Sequence, residues 1–598
     1  MRALAAWTLA LGLAVSPALA GTGGTADGNA SPAKETTEST SAAAAKPGAP
    51  ANPSMENQLQ QLRDLLEAQS RQLQAQNEQL KEQQRKMLAM EERMKNVSSS
   101  SASANLVNEA DMGGLGSNPA GAGIILATPS NQDKKSEDSP TSIRFKGVTI
   151  TPGGFFAGEG VYRSHALVND VNTDFKAIPM PGSSQAKTSE LNLSGRQSQL
   201  NLLVAGKLNS VTLRGYFEGD FLSAGTTSNN NQTNSYTFRQ RQFWAQAATD
   251  SGWTVTGGQM WSMVTETTKL LAPLSEARPK TIDAQYNVGF SWARQFGFRI
   301  TKNFGDRFAL GFSVENPQTT LGGKLQVQNT LIAGPGDLAG LYNNQANYSF
   351  NASPDFVVKA AFQPSWGHFE VFGLVSTFKT RIFPCAGASM AFPCSFDTTT
   401  VPSANGAFND KKTGGGIGAN GRIMVFNKHL ELGAHFLGGD GVSRYGNVTL
   451  ADVTAKPDGS LSLLHGYQGL GTVELHFSKL DIYGYGGGEY DSRNAFVNAA
   501  GQGVGYGSPL VSNAGCRTEI RPTNQNTPGA LANCQSDTRN ILEGTIGFWY
   551  RFYSGPRGRI QSGLQYSYTM RNTWSANAGG DPHGLDNMVF ASFRYYLP

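Results

Sequence analysis

Basic side chains recur at the polar positions of a series of alternating stretches: Arg196, Arg214, Arg239, Arg241, Arg299, Lys359, Arg422, Arg571 and Arg594. Acidic residues share those positions at Glu218, Asp220, Glu431, Glu474 and Glu543. A guanidinium presents a planar fork of donors that fits a carboxylate or a phosphate. Side chains of this kind bind and sort anions. Two arrangements stand open. Arg196, Arg214, Arg239 and Arg241, on neighbouring strands, form one basic wall, or they pair across the strands with Glu218 and Asp220. His435 and His476 also reach the polar parity of their strands, but neither belongs to a motif with a nucleophile, which argues against an enzyme.

The elements that carry these residues read as strands. From Val211 onward, Val211, Leu213, Phe217 and Phe221 fall on one parity, and Thr212, Arg214, Tyr216, Glu218 and Asp220 on the other. Period-two alternation gives one oily and one polar face. A soluble sheet would cover its oily face with helices or a second sheet. No helical period follows here; further strands do. Lipid outside and water inside a closed barrel satisfies the pattern. Phe308, Leu310, Phe312 and Val314 oppose Arg307, Ala309, Ser313 and Glu315, and Leu564, Tyr566, Tyr568 and Met570 oppose Gln561, Gln565, Thr569 and Arg571. The final stretch sets Val589, Ala591, Phe593, Tyr595 and Leu597 against Ser592 and Arg594, then adds Pro598. Residues 236–248 are polar on both parities, which fits either a subunit contact or a bulge.

Connections alternate in length. Short ones fall at 206–209, 249–252, 302–306, 364–367, 427–429, 478–479 and 553–558, and long ones at 164–188, 223–235, 264–288, 317–352, 381–413, 439–466, 492–537 and 572–585. That count gives an all-β transmembrane barrel of about 16 antiparallel strands over residues 147–598, with short turns at one end and long loops at the other. A mean hydropathy of −0.33 agrees, because a barrel hides its membrane signal in alternation. The formal charge of +4 on 598 residues is small for a nucleic-acid binder.

Upstream, residues 1–20 read as a secretory signal, with Arg2, a short apolar core and Ala18-Leu19-Ala20. Residues 21–54 have the composition of a disordered linker. Leu59, Leu66, Leu73, Leu80, Met87 and Met94 then recur every seven residues, with Leu62, Gln69, Gln76, Gln83, Met90 and Val97 as companions. Residues 55–97 are therefore expected to form an N-terminal α-helical coiled coil between identical chains. Residues 98–146 read as a second flexible linker. Export permits disulfides. Cys385 and Cys394 share one long loop, and Cys516 and Cys534 another, so two local pairs are the simplest of the possible connectivities. No His lies near either pair, which disfavours a metal site there.

The stretches Gly215-Tyr-Phe-Glu-Gly-Asp-Phe221, Phe238-Arg-Gln-Arg241 and Gly258-Gln-Met-Trp-Ser262 resemble the DcaP-like porins, with the phosphate-selective porins as a near alternative. The resemblance covers the coiled coil and the first third of the barrel best. It implies a homotrimer in the cell outer membrane of a Gram-negative-type bacterium, the coiled coil in the periplasm, and outer-membrane lipid around the barrel. It also implies a third long loop that folds inward, which makes Lys269, Arg278 and Lys280 constriction residues. Small anionic solutes such as dicarboxylates are the implied cargo, with no cofactor. A barrel of this strand number leaves an aqueous channel, whose selectivity follows the charges at its narrowest section. A surface receptor or adhesin is the competing expectation, because the long loops are rich in Asn, Thr and Gly.

Overall fold

A computed structural model describes residues 142–222, 237–324, 330–331, 333–335, 347–382, 407–498, 500–521, 534–535 and 537–598. The expected signal segment, the coiled coil, both linkers up to residue 141, and Cys385 and Cys394 lie outside these residues. Among the described residues there is no α-helix. The chain forms a closed antiparallel barrel of 16 strands.

The strands are β1 (Val148–Arg163), β2 (Glu190–Ser194 continued by Gln199–Leu208), β3 (Val211–Asp220), β4 (Arg239–Thr249), β5 (Trp253–Trp261), β6 (Arg294–Phe304), β7 (Phe308–Glu315) and β8 (Asp355–Phe362). They continue as β9 (Gly367–Ile382), β10 (Phe408–Val425), β11 (Leu430–Asp440), β12 (His465–His476), β13 (Leu480–Asp491), β14 (Thr538–Gly555), β15 (Gly558–Thr573) and β16 (His583–Tyr596). Each pairs with its sequence neighbours, and β16 closes on β1 through Phe155↔Tyr596 to Arg163↔Met588. Ile143–Phe145 also folds back on the start of β1, inside the segment read as linker. Short turns alternate with long loops as the sequence implies, and among the described residues the loops add three small strand pairs, Ala333–Pro335 with Asn347–Ser349, Val453–Ala455 with Leu461–Leu463 and Asn494–Val497 with Gly503–Tyr506.

Alternation decides the faces. Leu213, Phe243, Val255, Phe298, Phe312, Leu564 and Phe593 stay exposed on the outside, whereas Glu218, Arg241, Arg299, Ser313, Gln565 and Arg594 are buried within the ring. Exposed Trp253, Phe304, Phe308, Trp366, Phe426, Phe477 and Tyr553 cluster at the short-turn end, as an interfacial aromatic girdle requires.

Register shifts break the simple parity in several strands, among them β14 at Thr538/Asn540 and Arg551/Tyr553, and two of them bear on the basic residues. Across β3 and β4, Glu218 faces Gln242 and Gly219 faces Gln240, so Arg241 is the extra residue. A bulge sets two residues opposite one and re-aims their side chains. Gln240 and Phe243 therefore point out, while Arg241, Gln242 and Trp244 are buried. This accounts for the strand that was polar on both parities. In β2, Ser194 faces Glu159 and Gln199 faces Phe155, so residues 195–198 span the stretch opposite 156–158. Arg196 thus lies in that break and not on a strand's polar face, because the extra residue takes it out of the ladder.

Candidate functional site

The third long connection, residues 262–293, enters the barrel and packs against its inner wall. Glycine permits the closest approach: a Cβ on Gly487 of β13 would lie 1.8 Å from the Val288 carbonyl oxygen. Gly289 has φ +88°, and a Cβ there would meet the Gly469 carbonyl oxygen at 2.0 Å. Loop backbone and wall backbone touch, and a side chain would part them.

Wall carboxylates then take up loop amides that would otherwise be unsatisfied. Glu315 on β7 accepts from the Met263 N–H at 2.8 Å, and Glu370 on β9 from Thr267 N–H at 3.2 Å. On the far side, Glu543 on β14 accepts from Val288 N–H at 2.8 Å and Glu489 on β13 from Gly289 N–H at 2.9 Å. The Trp549 indole donates to the Lys280 carbonyl at 2.7 Å, and the Lys280 amide donates to the Tyr485 hydroxyl at 2.8 Å. Apolar packing completes the seat, with Ile282, Tyr286 and Phe290 of the loop buried against Val161, Leu470, Tyr483, Trp549 and Phe590 of the wall. At the level of this loop, the expectation of a bore lined only by polar residues is therefore corrected. Inward positions there include large apolar side chains because the loop, not water, is their partner.

The sixth connection, residues 441–464, also reaches in. The Trp292 amide donates to the Tyr445 carbonyl at 3.1 Å. Arg444 pairs with Asp355, whose carboxylate also accepts from the Tyr445 hydroxyl at 2.7 Å. Asp283 of the third connection accepts from the Gln285 amide at 2.8 Å and the Thr173 amide at 3.3 Å, and burial pushes its carboxyl up to about 6.

The basic residues singled out from sequence are mostly paired. Arg241 binds Glu218 and Asp220, each at 2.6 Å, and donates to the Tyr286 hydroxyl at 3.3 Å. Arg239 forks onto Asp220 at 2.9 and 2.8 Å. Arg214 donates to Gln246 at 2.9 Å, and Arg196 binds Asp170 at 2.8 Å and the Phe221 carbonyl at 2.9 Å. Of the two open arrangements, cross-strand pairing is the one observed for Arg239 and Arg241. Arg299 donates to the Trp261 carbonyl, Lys359 binds Glu370 at 2.6 Å, and Arg422 holds Glu266 at 3.0 Å together with Glu431. Arg571 holds the Thr538 hydroxyl at 3.0 Å and carbonyls of the first long loop, while Arg594 joins Glu159 at 2.6 Å.

The three loop cations part company. Lys269 is exposed. Lys280 is buried with Glu474 and Asp481, at 3.4 and 3.8 Å. Arg278 lies among Glu218, Glu276, Tyr286 and Arg241, and its Nη1 is buried without a hydrogen-bond partner. Arg294, unnoticed in the sequence, joins this group beside Arg239 and Arg241 and lies over the rings of Trp261 and Trp292 at 5.0 and 5.3 Å. No signal marked Arg294, because it closes the loop just where the strand pattern resumes. Of the cysteines, Cys516 and Cys534 form a disulfide. His435 hydrogen-bonds Asn420 and the Ser291 hydroxyl, the latter at 3.0 Å, a chain shut between loop and wall that helps seat the loop.

A closed ring of 16 strands, apolar outside, with short turns at one end and a long loop folded into its interior, has the architecture of a porin-type transmembrane barrel. The crystal structure of the outer membrane channel DcaP of Acinetobacter baumannii shares this fold with a TM-score of 0.52 and 16% sequence identity, over 76% of this chain and 100% of that one. An anion-selective porin from Comamonas acidovorans and the outer membrane protein OmpT of Vibrio cholerae each give a TM-score of 0.37, at 10% and 9% identity. They cover 75% and 76% of this chain, and 100% and 99% of their own. No family model and no curated protein matches the chain.

Proposed function

We propose that this chain is an outer-membrane porin that passes small polar solutes by passive diffusion, with a preference for anions. The observation that carries the reading is the inward loop, which brings Arg278 beside Arg241, where Arg294 at the start of β6 also lies next to Arg239 and Arg241, inside a closed wall. These four cations meet the carboxylates of Glu218, Asp220 and Glu276, and Arg278 keeps one buried donor unused. An unused guanidinium donor in a low-dielectric passage favours a carboxylate or phosphate. Likeness of fold to DcaP adds support. The heptads of residues 55–97 and the family resemblance support a homotrimer, with the helix as trimerisation device on the periplasmic side.

Single-channel reversal potential in a KCl gradient tests the preference. The expected result is anion preference that shrinks in R278Q and in R239Q/R241Q. Cation preference, or an unchanged potential in these variants, would overturn it. A receptor or adhesin without channel activity is favoured by one feature, the apolar packing between loop and wall. Failure of the purified barrel to conduct in a planar bilayer would select that reading.

A further inference from the structure

At the short-turn end of the barrel, under the tip of the inward loop, three side chains converge from β11 and β12. Glu431 Oε2 and Glu474 Oε2 lie 4.0 and 3.7 Å from His476 Nε2, and one donor atom from each residue falls within 4.8 Å of the others. These separations exceed hydrogen-bond reach. Metal bonds of about 2.0–2.2 Å place neighbouring donors roughly 3.3–3.7 Å apart, so the three side chains need to close only by up to about 1 Å to make three edges of a coordination shell. From this geometry we propose that Glu431, Glu474 and His476 form a binding site for a borderline divalent cation, zinc by its ligand chemistry.

The surroundings prepare each donor. His476 Nδ1 lies 3.1 Å from Asp481 Oδ1, which the Arg551 guanidinium holds from its other side. With its proton on Nδ1, donated to that carboxylate, the ring leaves Nε2 free for a metal; this tautomer is reached when the Lys280 ammonium, 3.2 Å from Nδ1, turns away. Glu431 presents Oε2 while Arg422 occupies Oε1, and Glu474 presents Oε2 while the Tyr485 hydroxyl occupies Oε1 at 2.8 Å. His476 keeps 27% of its side chain accessible, so an ion has a way in from the mouth of the barrel. One imidazole with two carboxylates suits zinc better than calcium or magnesium, which prefer all-oxygen shells. Lys280 is the rival occupant. Lys280 Nζ lies 3.4 Å from the same Glu474 oxygen and 3.2 Å from His476 Nδ1. Zinc therefore competes with the loop's own ammonium for Glu474, and binding loosens that tie of the loop tip to the wall.

Calorimetric titration of zinc chloride into the EDTA-stripped full chain in detergent tests the site without requiring conduction, so its failure is separable from failure of the porin reading. Saturable binding of a single ion per chain is expected. H476N and E474Q should each weaken it by roughly tenfold or more, with unchanged far-UV circular dichroism showing an intact barrel. K280M should bind several-fold more tightly. No saturable binding, equal affinity in wild type and H476N, or loss of binding in K280M would overturn the proposal.

Discussion

The Arg241 guanidinium and the Glu218 carboxylate meet at 2.6 Å on neighbouring strands, both shut away from bulk solvent. The same cation holds Asp220, which Arg239 also grips, so the bulge that turns Arg241 inward lets one side chain bridge two buried acids. Removing one partner of such a group leaves an uncompensated charge, at a cost of roughly 3–5 kcal/mol. R241Q is expected to lower the urea midpoint of the detergent-solubilised barrel and to shift the reversal potential toward cations. E218Q should shift it the opposite way. Equal potentials in the two variants would separate this pair from selectivity.

Gly487 and the Val288 carbonyl set how far the third connection can settle into the wall. A side chain at 487 has no room, since its Cβ would lie 1.8 Å from that oxygen. G487V should displace the loop and change single-channel conductance by a readily measured factor while leaving the strand content intact by circular dichroism. Unchanged conductance would show that the loop does not limit flow.

Asp283 links the third connection to the first, and burial holds its carboxyl up at about 6. An acid raised in the folded state favours folding when protonated. Its contribution is fully present below the unfolded carboxyl range, near 3.9, and is lost as pH rises through about 6. Hydrogen exchange of amides 281–288 is therefore expected to gain protection on acidification relative to D283N. Parallel profiles for the two proteins would refute it.

The Cys516–Cys534 disulfide ties the seventh long connection outside the strand ladder. Its reduction should open residues 492–537 to protease while leaving the barrel's heat resistance unchanged. Simultaneous loss of barrel stability would mean that this loop supports the wall.

Strand number, the order of short and long connections, and the faces of β3, β7, β15 and β16 were legible in the sequence, because alternation is a local signal. The bulges were not. Polar residues on both parities, Arg239 and Arg241 against Gln240 and Gln242, announced an irregularity, but only the register shows that Arg241 is the extra residue. Pairing between Arg239, Arg241, Glu218 and Asp220 stood open, since parity gives a face and not a partner. Inward Glu489 and Glu543 were harder still. Their partners are amides of a loop about 200 residues or more away in sequence, and no spacing rule connects a carboxylate to a backbone N–H. The apolar inner wall was obscured for the same reason. Trp549 and Tyr483 look misplaced until the loop that covers them is in view.

Arg594 on the last strand grips Glu159 on the first, and the same guanidinium reaches the Ile282 carbonyl at 3.3 Å. Seam and loop thus share one latch. During biogenesis the final strand must arrive before the loop gains this anchor at Ile282, so ring closure and the last step of loop seating should occur together. An assembly intermediate arrested before β16 inserts would hold the loop by its ties to β7, β9, β13 and β14 alone.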